Sequence, residues 1–169
     1  MSVNPELQRS LSANRDYAAA FDAGDVPAAP SRHVAVITCM DTRIDPDAAL
    51  GLRLGDAHVI RNAGGLATDD AIRSVVISQQ LLGTNQVWLI QHTECGLLKV
   101  ADQELRDRLR AETGSDAELA FLTFTNLEES VRDNVERLRR HPWVRRDTVV
   151  VGLIYDVSSG RLREIEPAD

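Results

Sequence analysis

Short apolar runs alternate with amphipathic stretches along this chain, and that alternation points to a fold before any single residue is weighed. "HVAVIT" (33–38), "AHVIRNAGG" (57–65), "QVWLIQ" (86–91) and "TVVVGLIYDV" (148–157) are brief and rich in β-branched residues, as buried strands are. "RLREI", after the "SSG" turn, reads as an edge hairpin strand. The intervening patterns are helical. Residues 5–22 place Leu7, Leu11, Ala18 and Phe21 near one stripe, interrupted by Asn14. A short helix is expected over 45–52, with Asp45 as cap and Pro46 in its first turn. Thr68, followed by two aspartates, suits the start of a helix that turns Ile72, Val75, Val76 and Leu82 inward and stops at Gly83. Residues 102–113 read as a charged surface helix. In 125–140, Leu127, Val131, Val135 and Leu138 form a clear stripe. Thr125 and Glu128 there have capping-box spacing, and Asp133 and Arg137 can pair on the wet side.

Strands alternating with helices predict an α/β fold. Its sheet should be mostly parallel, of about four strands plus a C-terminal antiparallel edge strand, flanked by helices. The chain's 169 residues suit one domain, 1–169. Within it, 1–30 form an N-terminal helical arm and linker. Gly24, Pro27 and Pro30 in "DAGDVPAAPS" oppose regular structure, and a helix cut off by such a linker is expected to pack elsewhere, on a partner subunit.

Composition narrows the class only a little. Apolar residues make up 43% and charged residues 27%, ordinary values for a globular protein. A net charge of −7 argues against non-specific nucleic-acid binding. The start, "MSVNPELQRS", lacks the basic-then-apolar pattern of a secretion signal, and no apolar run approaches the ~20 residues that span a bilayer. A cytoplasmic protein without a membrane segment is the expectation.

The two cysteines are more telling. Cys39 follows the first strand, while His92 and Cys95 follow the third. In open parallel sheets, ligand sites lie beyond the carboxyl ends of the strands, so all three should converge. Two thiolates and an imidazole suit zinc and leave a fourth position open. Two buried thiols, or a cysteine nucleophile with His92 as base for Cys95, remain alternatives at this point. Asp41 and Arg43, on the loop after Cys39, sit within reach of such a site. A carboxylate there can ligate metal or accept a proton, and an adjacent arginine can keep it ionised.

"CMDTR" (39–43) and "HTECG" (92–96) together resemble the zinc signature of the β-class carbonic anhydrases. "GDAHVIRNAGG" (55–65), "DDAIRS" (69–74) and "GLIYDVSSGRL" (152–162) are also similar to that family's blocks, and the resemblance runs from about Asn14 to near the C-terminus. It implies zinc held by Cys39, His92 and Cys95, and Asp41 with Arg43 as catalytic dyad. Asp41 would be a conditional fourth ligand in a closed state. Gly64 and Gly65 would bring backbone close to the substrate pocket. It further implies hydration of carbon dioxide to bicarbonate, and a homodimer with the N-terminal helix across the partner; doubling of that dimer to a tetramer stays open. Two thiolates cancel the charge of Zn²⁺, so activity should rise above neutral pH. Glu94 stands where aspartate is common in the family. Similar proteins hydrolyse carbonyl sulfide or carbon disulfide on the same scaffold, which is the rival reading. A non-catalytic zinc or nucleotide-binding module is a second rival, although neither G-x-G-x-x-G nor a Walker lysine loop is present.

Overall fold

The structure is a computed structural model that describes residues 4–116 and 118–166. The first three residues of the start weighed above as a signal, and the last three of the chain, lie outside it. Helix α1 (Pro5–Ala19) is followed by β1 (Val34–Cys39), α2 (Pro46–Leu50), β2 (Ala57–Asn62) and α3 (Asp69–Leu82). Then come β3 (Gln86–His92), α4 (Asp102–Thr113), α5 (Leu127–Arg140), β4 (Val149–Tyr155) and β5 (Leu162–Ile165). The five strands form one sheet in the order β2-β1-β3-β4-β5. The first four are parallel and β5 is antiparallel to β4, as the strand pattern predicts.

Strand β1 is buried at every position because both its faces are covered. On one face Ala35 and Ile37 join Val87, Leu89 and the inward stripes of α3 and α5. On the other, Val34 and Val36 pack with Leu52 and Ile90. Gly152 permits a close approach of α5 to β4. A Cβ there would stand 2.6 Å from Val131 Cγ1 and 3.0 Å from Val135 Cγ2 of α5.

Several local expectations are corrected. The first helix ends at Ala19 and not at 22, and Ala20 is its cap. The second strand stops at Asn62, and Ala63–Gly65 form a 3₁₀ turn, because positive φ at Gly64 and Gly65 ends the extended run. The cap of α5 is Asn126 and not Thr125, its side chain accepting from Glu129 N–H. Arg137 pairs with Asp69 on α3 at 2.6 Å and not with Asp133, since the tertiary neighbour is the closer carboxylate. No residue of α1 is buried within this chain, and Leu7, Leu11, Tyr17 and Phe21 are exposed. Among the described residues, no helix is long and apolar enough to cross a membrane.

Candidate metal centre

Strands β1 and β3 are parallel neighbours, with Thr38 opposite Ile90. Their carboxyl ends therefore deliver Cys39 and His92 to the same edge of the sheet. The chain leaves β1 toward β2 on one side and β3 toward β4 on the other, so the two loops part and open a crevice between them. Cys95 enters from the turn after β3. Glu94 adopts a φ of 58° there, and Cys95 begins the 3₁₀ turn Gly96–Leu98. The three donor atoms of Cys39, His92 and Cys95 lie within 4.8 Å of one another, and all three side chains are buried.

The orientation of His92 tests the fit to a metal. Its Nδ1 lies 2.8 Å from the Thr93 carbonyl, which can only accept, so Nδ1 carries the hydrogen. Nε2 is then a bare lone pair. It is buried and has no hydrogen-bond partner. An orphaned buried acceptor beside two sulfurs is what a tetrahedral S,S,N site presents to zinc. The sulfurs also interact with each other. Donation from Cys95 draws the Cys39 thiol down against the effect of burial. Cys95, as the donor to Cys39 and as a buried thiol, is pushed up. Burial disfavours the His92 imidazolium, yet the facing Cys39 thiolate outweighs it and raises the histidine.

Asp41 and Arg43 are brought to this group as a formed pair. Arg43 Nε donates to Asp41 Oδ1 at 3.0 Å and Nη2 donates to Oδ2 at 2.8 Å. The Arg43 backbone N–H adds a third bond to Oδ1 at 2.9 Å. These donors hold the Asp41 carboxyl well below the usual carboxylate range. Its Oδ2 stands 3.8 Å from His92 Nε2. Glu94 accepts from Arg43 Nη1 at 3.1 Å and so gives the arginine a second carboxylate partner. Gly64 and Gly65 are both buried beside the cluster. Ile44, Leu97, Leu98, Phe124 and Tyr155 supply apolar walls around the two cysteines.

Sequence reasoning missed two supporting residues. Arg61 of β2 donates through Nε to the Cys39 carbonyl at 3.0 Å and through Nη2 to the Asp41 carbonyl at 2.7 Å, clamping the loop that carries both. Its signal was its position opposite Thr38, visible only once β1 and β2 are paired. Thr93 fixes His92 through its carbonyl. It is itself tied to the C-terminal hairpin, donating N–H to the Tyr155 carbonyl at 3.0 Å and accepting at Oγ1 from Val157 N–H at 3.1 Å.

A mostly parallel five-stranded sheet with an S,S,N group that could hold a metal, and an arginine-held aspartate at its switch point, defines an α/β protein with a candidate metal centre. The sequence model of the carbonic anhydrase family matches residues 34–162, and the chain belongs to the β-carbonic anhydrase family. It is 41% identical over 157 residues to β-carbonic anhydrase 1 of Mycobacterium tuberculosis, covering 93% of this chain and 96% of that protein. It is 33% identical over 183 residues to a carbon disulfide hydrolase of Acidithiobacillus thiooxidans, covering 96% and 90%. Its fold matches a crystal structure of carbonic anhydrase from Streptococcus mutans with a TM-score of 0.93 and 41% identity, over 98% of this chain and 100% of that one.

Proposed function

We propose that this protein catalyses the reversible hydration of carbon dioxide to bicarbonate and a proton, with zinc held by Cys39, His92 and Cys95. The observation that carries the reading is the Asp41 carboxylate, gripped at both oxygens by Arg43 and 3.8 Å from the free Nε2 of His92. Zinc held there supplies a Lewis acid that makes water nucleophilic near neutral pH. The remaining work falls to the chain. Thr93 keeps the His92 lone pair turned inward. Asp41, kept ionised by Arg43, accepts a hydrogen bond from the incoming water and so aims it. Leu97, Leu98, Phe124 and Tyr155 form the apolar side on which carbon dioxide, which carries no charge, is held. Gly64 and Gly65 let backbone approach that side without a side chain. A swing of Asp41 toward the three donors breaks both guanidinium bonds from Arg43 and occupies the open position, which is the proposed off state.

The protein is proposed to act as one domain, in the cytoplasm, and as a homodimer, with residues 1–30 as an arm lying on the partner. The exposed Leu7, Leu11, Tyr17 and Phe21 support the dimer, since nothing among the described residues buries them. Pairing of dimers into tetramers is the larger assembly open to it. A carbon disulfide or carbonyl sulfide hydrolase is the second reading, favoured by the near full-length similarity to a carbon disulfide hydrolase.

Stopped-flow hydration of carbon dioxide at mildly alkaline pH, on protein of measured zinc content, tests the proposal. Fast turnover is expected, rising above neutral pH. It should vanish with zinc in Cys39→Ser and fall by about 10²-fold or more in zinc-replete Asp41→Ala. Zinc-loaded protein that consumes carbon disulfide or carbonyl sulfide but leaves carbon dioxide unchanged moves the assignment to the second reading. Zinc without any of these activities leaves a binding module.

A further inference from the structure

Gln91 continues the inward row of Val87 and Leu89 on β3, and it is fully buried one residue before His92. A primary amide in that row is costly, and the cost is visible, because its Oε1 has no hydrogen-bond partner. The other end is engaged. Gln91 Nε2 donates to the Gly64 carbonyl at 2.9 Å. Gly64 is the middle residue of the Ala63–Gly65 turn and has a φ of 83°. On one flank the turn presses against the strand backbones, since a Cβ on Gly65 would stand 2.9 Å from the Cys39 nitrogen and 2.7 Å from the Ile90 carbonyl oxygen. On the other it meets the apolar wall, with a Cβ on Gly64 falling 2.8 Å from Leu97 Cδ1. The turn is therefore wedged between the candidate donor Cys39 and the wall of the pocket. Glycine has the widest backbone freedom of any residue, so a Gly-Gly turn keeps one geometry only if something outside it holds it. The Gln91 amide does so at Gly64, in the turn that abuts the Cys39 backbone.

We propose that Gln91 is a positioning residue of the metal centre: by holding the Gly64 carbonyl it fixes the Ala63–Gly65 turn against Cys39 and thereby strengthens the grip of the three donors on zinc. This rests on the zinc reading of the site and not on which substrate is turned over. Outer groups that orient metal ligands typically contribute about 10–100-fold in metal affinity, which sets the size of the expected effect.

The experiment is competition for zinc against a chromophoric chelator, with the thiolate-to-cobalt charge-transfer band of the Co²⁺-substituted protein as a second readout. Gln91→Met keeps length and packing but has no donor. It should bind zinc about 10–100-fold more weakly than the unaltered protein, with a shifted cobalt band. Gln91→Glu keeps the shape and donates only while protonated, a form that burial favours. Its zinc affinity should match the unaltered protein at mildly acidic pH and fall progressively behind it as pH rises. If Gln91→Met fails to fold, Gln91→Glu carries the test alone. Unchanged zinc affinity at every pH with an unmoved cobalt band overturns the proposal, even if the variants melt earlier. An unaltered protein that binds no zinc removes this proposal together with the zinc reading. A zinc-binding protein that is inert toward carbon dioxide removes only the proposed reaction.

Discussion

Replacing Gly65 with alanine probes how tightly the site is built into the sheet. Gly65 has a φ of 63°, and Gly51, at the end of α2, has a nearly identical φ of 61°. Alanine at either position bears the left-handed strain of about 1–2 kcal/mol. The surroundings differ. Nothing lies within 4 Å of a Cβ on Gly51. At Gly65 the Cβ meets the Ile90 carbonyl oxygen at 2.7 Å, the Cys39 nitrogen at 2.9 Å and the Thr38 carbonyl carbon at 3.1 Å. All three are backbone atoms of paired strands, which cannot rotate aside as a side chain can. Forcing a methyl into such a space costs about 1–3 kcal/mol more. Gly65→Ala should therefore lose about 2–5 kcal/mol and Gly51→Ala about 1–2 kcal/mol. Parallel urea unfolding of the two variants measures the difference, and each kcal/mol corresponds to about 2–4 °C in melting temperature at this chain length. Because the strain is shared, the difference isolates the clash beside Cys39, and zinc stoichiometry should fall only in Gly65→Ala. Equal losses in the two variants would refute the reasoning, and so would a Gly65→Ala protein with full zinc content.

Asp102 accepts from Thr123 N–H and Oγ1–H, and these bonds, the backbone one first, hold its carboxyl below the usual range. A depressed folded value means the stabilisation is complete above the ordinary carboxylate range and disappears as pH falls through the folded value. The stability gap between the unaltered protein and Asp102→Ala, read by denaturant melts, should accordingly close toward acid. Leu11→Asp or Phe21→Asp, exposed in the single chain, should leave the monomer's fold intact and weaken the proposed dimer in sedimentation velocity; an unchanged dimer would remove the arm from the interface. Stripping zinc with a chelator should lower the melting temperature, since free zinc at 1,000 times its dissociation constant stabilises the folded form by about 4 kcal/mol.

The elements were largely legible in the sequence because periodicity and punctuation act locally. Thr68 caps α3 and Gly83 ends it in the left-handed conformation, as their positions predict. Two local expectations shifted: Asn126 and not Thr125 caps α5, through a bond to Glu129 N–H in its own first turn, and a tertiary neighbour, Asp69 and not Asp133, receives Arg137. The two halves of the site were legible as motifs, and their convergence followed from the rule for parallel sheets. The supporting residues were not, because their partners are distant in sequence. Arg61 reaches the carbonyls of Cys39 and Asp41, and Gln91 reaches Gly64, across strand pairings that no local pattern announces.

The sequence by itself determined the order of strands and helices, the donor types and the spacing of Asp41 and Arg43 from Cys39, since residue identity and short-range geometry decide these. Only the tertiary structure decided that β1 and β3 are neighbours, that Nε2 of His92 is left without a partner, and that Arg43 closes on both oxygens of Asp41. Those facts depend on strand register and burial, and both arise only when segments far apart in the chain are packed against one another.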